Sequence, residues 1–131
     1  MQYLADNLGN SIKFLERVKE LNKKAWPEFL LYGDTPSWER IYDELSDFVV
    51  LLIDSDDNLA GAGFTIAVSW DGKIDNLPDS IESIIVNGLK TKNKVPNTLM
   101  AVAALVDNRY RGQNLSAEIL KQMNLSFPAL I

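Results

Sequence analysis

The sequence predicts an α/β fold, α+β in the stricter sense: a mostly antiparallel sheet flanked by helices. Two amphipathic helical segments come first, at residues 11–26 and 37–45. Two apolar, β-rich runs follow on either side of a five-residue polar turn, at 47–55 and 59–70. A third such run, 97–106, feeds a short Arg/Gly loop and then another helix. Runs joined by a tight turn pair antiparallel, and helical periodicity on both sides of them supplies the covering layers.

Each element has a local reason. Asn10-Ser11 precedes IKFLERVKELNKKAW, whose Ile12, Leu15, Val18 and Leu21 fall near helical spacing, and Pro27 bounds the segment. Thr35 is placed to cap a second helix with Pro36 at its first position, and Trp38, Ile41 and Leu45 mark that helix's apolar face. The run FVVLLID has the length and continuity of a strand buried on both sides. Asp54-Ser55-Asp56-Asp57-Asn58 is turn chemistry and reads as a solvated hairpin tip, lacking the glycine and terminal glutamate of a calcium loop. Gly61 and Gly63 inside the next strand imply a bulge or a close backbone approach. Residues 72–96 are a polar stretch around a short helix, SIESIIVNGL. LSAEILKQM is the last helix, with Ile119 and Met123 on one face.

Composition narrows the chemistry. The chain has 131 residues, 47% hydrophobic and 24% charged, which is the usage of one globular domain over residues 1–131. It contains neither cysteine nor histidine. Disulfides, thiolate nucleophiles, Cys/His zinc sites and a Ser-His-Asp triad are therefore excluded. The net charge of −5 leaves no basic face for nucleic acid. No apolar run approaches the ~18 residues of a membrane span. The start, MQYLADNLGN, is unlike a signal peptide, so the expected location is cytoplasmic.

The informative segment is Val106-Asp107-Asn108-Arg109-Tyr110-Arg111-Gly112-Gln113-Asn114-Leu115-Ser116. A strand that enters a short Arg/Gly loop and then a helix makes an anion cradle from the first-turn N–H groups and the positive end of the helix dipole. Arg109 and Arg111 add donors for phosphate. Read without a ligand, the same loop is a polar connection with Asn114 as N-cap.

This segment resembles the acyl-CoA-binding motif of the GNAT superfamily of N-acetyltransferases: an Arg or Gln, two residues, Gly, one residue, then Gly or Ala. Arg111, Gly112, Gln113, Asn114, Leu115 and Ser116 occupy it, and Tyr110-Arg111-Gly112 matches its common approach, with Asn108 in place of a proline. Asn114 stands at the first motif glycine and Ser116 at the second small residue. Asn tolerates left-handed backbone angles, so the loop shape is expected to survive.

The resemblance implies acetyl-CoA as cosubstrate, an amine-bearing small molecule or peptide as acceptor, and direct attack on the thioester without a covalent intermediate. It places Leu105 and Val106 beside the pantetheine, where backbone N–H groups polarise the carbonyl. Glu28, Asp34 and Asp107 are the carboxylates available as base, and the loop 24–36, with Trp26 and Tyr32, lies at the acceptor groove. Read without the family, Trp26, Tyr32 and Trp38 are packing aromatics. The family's first strand has at most Gln2-Tyr3-Leu4-Ala5 to build it and is expected to be missing. The stretch 71–96 reads as an insertion outside the minimal fold. The expected domain is truncated after its N-terminal half, leaving strand 97–106 as an edge through which a homodimer forms. The alternative to an enzyme is a catalytically inactive GNAT-like binding or dimerisation module.

Overall fold

A computed structural model describes residues 3–25, 37–77, 80–91, 94, 96–110 and 112–126. Thr35 and Pro36, the expected start of the second helix, lie outside these residues, as do Trp26, Glu28, Tyr32, Asp34 and Arg111.

Among the described residues, four strands form one antiparallel sheet in the order β1-β2-β3-β4: β1 (Leu4–Asn7), β2 (Val49–Ile53), β3 (Leu59–Val68) and β4 (Thr98–Val106). The α-helices among the described residues are α1 (Leu15–Ala25), α2 (Trp38–Glu44), α3 (Ile81–Thr91) and α4 (Leu115–Ser126). The fold is α+β, as the sequence predicts.

The first strand is present, contrary to expectation. Leu4 is exposed, and β1 is held by its backbone ladder to β2, from Leu4↔Ile53 to Asn7↔Val50. The first helix also begins differently. Residues Ile12–Phe14 form a 3-10 turn, and Ser11 makes no capping bond, because its hydroxyl donates to the Asp6 carboxylate instead.

The continuous apolar run of β2 divides between two cores by its period of two. Val49, Leu51 and Ile53 face α1, α2 and α3 together with Phe64, Ile66, Ile41 and Ile85. Val50 and Leu52 face α4, where Leu115, Ile119 and Met123 complete a smaller cluster with Tyr110. A sheet covered on both faces needs strands that read as near-continuous apolar runs, and β2 and β3 are buried throughout, with the one polar side chain, Thr65, donating its hydroxyl to the Phe48 carbonyl at 2.7 Å.

The β3 glycines serve close approach. A Cβ on Gly61 would stand 2.8 Å from the Leu105 carbonyl oxygen, and one on Gly63 would meet the Ile119 and Met123 side chains of α4. Bulges accompany them. The register slips between Leu52 and Ile53, leaving Ala60 extra on β3, and between Phe64 and Thr65, leaving Val102 extra on β4.

The helix of the 71–96 stretch is part of the core. Ile85 is fully buried, Gly88 sits where a Cβ would strike Ile66, and the Glu82 carboxylate accepts the Ser37 N–H at 2.8 Å and its hydroxyl at 2.7 Å at the start of α2.

Candidate functional site

The site is built where β4 ends. The Asp107 N–H donates to the Ala60 carbonyl at 2.9 Å, the last rung of the β3–β4 ladder. Residues Asn108–Tyr110 then turn as a 3-10 helix, and the Asp107 carboxylate receives the Arg109 N–H at 2.9 Å. Gly112 and Asn114 both adopt left-handed backbone angles, φ 83° and 58°, and α4 starts at Leu115. A Cβ on Gly112 would meet no neighbour, so glycine is needed there for its angle rather than for room. Asn114 takes the backbone shape foreseen for it. That shape is unlike the extended angles of an ordinary N-cap residue, although its carbonyl accepts the Glu118 N–H at 3.4 Å.

This turn opens a cleft of about 690 Å³. Leu105 and Val106 from the strand and Gly112, Asn114, Leu115 and Ser116 from the loop line it together. Ala104 and Tyr110 line it as well. Gln113 is turned to the residue before β1, its side-chain oxygen accepting the Tyr3 hydroxyl. Leu115 is largely consumed by the core beneath α4.

The register decides which backbone donors face the cleft. Asp107 and Ala60 form a hydrogen-bonded pair, and such pairs alternate along an antiparallel ladder. Leu105 therefore points its N–H at Ala62 within the sheet. The N–H groups of Ala104 and Val106 point to the other side of β4, which pairs with no strand among the described residues. Of the two residues expected to polarise a carbonyl, Val106 has its donor on the open side, and Ala104 joins it.

A second cleft, about 500 Å³, meets the first at Val106 on the α1 side of the sheet. Its charged lining is Arg17, Glu20 and Lys24 of α1 with Asp107 and Arg109 of the loop. Burial pushes the Asp107 carboxyl up, but the Arg109 N–H and guanidinium and the charge of Lys24 outweigh it and hold the group below the usual carboxylate range. Asp107 is thus an ionised partner of Arg109, 3.2 Å away, and a weak proton acceptor at neutral pH.

Sequence reasoning missed Asp54. Ser55, Asp56 and Asp57 are exposed, as a solvated tip requires, but Asn58 is half-buried and Asp54 is buried and accepts a hydrogen bond from the Tyr110 hydroxyl. Its other oxygen accepts the Asp56 and Asn58 N–H groups at 2.9 Å each. The Tyr110 hydroxyl, then the turn N–H groups, hold the Asp54 carboxyl below its ordinary value. The bond to Asp54, then burial, pushes the Tyr110 phenol up to about 12. The linkage signs follow. Asp54, lowered on folding, contributes stability above its unfolded pKa near 3.8, lost as pH falls through the folded value. Tyr110, raised on folding, contributes below pH 10.0, and that contribution declines as pH rises toward about 12. Unfolding midpoints in urea are expected to drop below pH 4 and again above pH 10, with the alkaline drop reduced in Tyr110→Phe but not abolished, because burial also pushes the Tyr42 phenol up to about 12; an unchanged alkaline limb in that variant contradicts the assignment.

No protein-family model matches the sequence, and a search of curated proteins finds no match. Among solved structures, the chain is similar to the loading GNATL domain of CurA from Lyngbya majuscula, with a TM-score of 0.70 at 17% identity. The superposition covers 95% of this chain and 58% of that one, so the chain spans little more than half the neighbour's length. Strand order and the solved neighbour agree on one architecture: the fold of this chain is GNAT-like.

Proposed function

We propose that the chain is an acyl-CoA-dependent N-acyltransferase, or the part of one that holds the acyl-CoA, with acetyl-CoA as cosubstrate. The observation that carries this reading is the cleft at the end of β4. There the outward N–H groups of Ala104 and Val106 adjoin a loop whose two left-handed residues lead into the N-terminus of α4. The helix N-terminus suits a pyrophosphate, with Arg111 as the cation that the motif supplies. The strand N–H groups suit a thioester carbonyl that gains charge as an amine attacks. The polar cleft beyond Val106 supports an approach for that amine from the α1 side, with proximity as the main source of rate.

Titration of ¹⁵N-labelled protein with acetyl-CoA tests the assignment. Amide shifts centred on Ala104, Val106, Gly112 and Ser116 are expected. Shifts confined to another surface, or none at millimolar ligand, contradict it.

One observation favours a second reading, an inactive binding or dimerisation module: β4 lacks a strand partner on its outer side among the described residues. An unpaired edge is a template for a second chain. A dimer mass by light scattering together with no acetyl-CoA response supports this reading, and a monomer mass argues against it.

A further inference from the structure

We infer that Asp54 is a positioning residue for the loop 107–114, acting through the phenol of Tyr110 and presetting that loop for acyl-CoA. The inference rests on the acyl-CoA reading of the cleft. Three features carry it.

First, the Asp54 carboxylate is itself fixed. One oxygen is committed to the Asp56 and Asn58 N–H groups of the hairpin turn, which aims the other at Tyr110. The hairpin tip is tied in turn to the 3-10 turn that precedes α1, where Lys13 pairs with Asp57 at 2.9 Å.

Second, Tyr110 is in the right place to transmit that order. It is 7% exposed, lines the cleft, and lies between the last ladder residue and Gly112. Its N–H returns to the Asp107 carbonyl at 2.9 Å, and its ring is met edge-on by Tyr3 and flanked by the Arg109 guanidinium. Packing alone would be satisfied by a phenylalanine. The hydroxyl is what reaches the hairpin.

Third, the loop is tied again on its far side, where Tyr3 donates to Gln113. The backbone around Gly112 is therefore held between two side-chain bonds, from elements remote in sequence. A loop already in its left-handed turns pays less ordering entropy when an anion docks.

The test uses the full chain and three variants. Tyr110→Phe keeps the ring and removes the bond. It is expected to weaken acetyl-CoA binding by about tenfold and to speed amide exchange at Gly112–Leu115 by a similar factor, the scale of one hydrogen bond to a charged group. Exchange in β2 and α1 is expected to stay as in the parent. Asp54→Ala should behave like Tyr110→Phe, whereas Asp54→Asn, whose amide still meets the phenol, should retain most of the affinity. A merely structural residue would lower protection everywhere and show no such rescue.

If the parent binds acetyl-CoA and Tyr110→Phe binds it equally well with unchanged loop exchange, the inference is overturned. If the parent does not bind acetyl-CoA at all, the functional reading fails. The exchange data then decide by themselves whether Asp54 holds the loop.

Discussion

Phe64→Ala is expected to cost about 3–5 kcal/mol, a large share of the stability of a domain this size. Phe64 sits at the middle of β3 with none of its surface exposed. Its ring centroid lies 5.0 Å from that of Trp38 and 6.2 Å from that of Tyr42, the latter edge-on. Across the ladder it pairs with Val49 on one side and Ala103 on the other. Removing the ring strips a contact from α2 and two strands at once, and the small Ala103 cannot fill the void. Urea unfolding checks the value. A loss below about 1.5 kcal/mol would show that α2 collapses onto the sheet, and that the aromatic cluster is not the keystone of the larger core.

Gly63→Val is the second large effect, and it couples the core to the site. Gly63 lies where α4 crosses β3, and a new Cβ would stand 2.5 Å from the Ile119 Cγ2 and strike the Met123 methyl. Met123 can swing aside, but the Ile119 methyl branches close to the backbone and is fully buried. The expected cost is about 1–3 kcal/mol from overpacking. Since α4 must lift to admit the branch, its N-terminus at Leu115 moves with it, and acetyl-CoA affinity should fall along with stability. Gly63→Val with affinity intact would show that the helix end is positioned independently of its packing on β3.

What the sequence made legible was local. The strands β2 and β3 were readable because a run that is apolar but for Thr65, whose hydroxyl is taken up by the Phe48 carbonyl, leaves a segment no solvated face. The left-handed tolerance of Asn114 and the need for Gly112 were readable because backbone angles belong to a residue and its neighbours. What stayed hidden depends on partners far along the chain. The strand β1 has four residues, an exposed leucine and two polar positions, so nothing in Leu-Ala-Asp-Asn announces a strand; the β2 edge recruits it. Ser11 has the chemistry of a cap, but Asp6 competes for its hydroxyl once β1 is in place. The helix α3 lies in a polar stretch that reads as an insertion, while its burial comes from the meeting of Gly88 with Ile66. Asp54 lies in an acidic turn whose composition signals solvent, and its burial depends on a tyrosine 56 residues away. At the candidate site, the identity of the loop residues was visible in order. The direction of the β4 N–H groups was not, because it is a property of register, set by the ladder and its bulges.

The central claim is that the cleft at the end of β4 binds acyl-CoA. Calorimetric titration of the full chain with acetyl-CoA, beside Arg111→Glu, tests it most directly. The account predicts sub-millimolar binding by the parent and a loss of at least about tenfold on charge reversal, since the cation that the motif supplies for phosphate is replaced by a charge like the ligand's. No heat at millimolar acetyl-CoA, or equal affinity in Arg111→Glu, would contradict it.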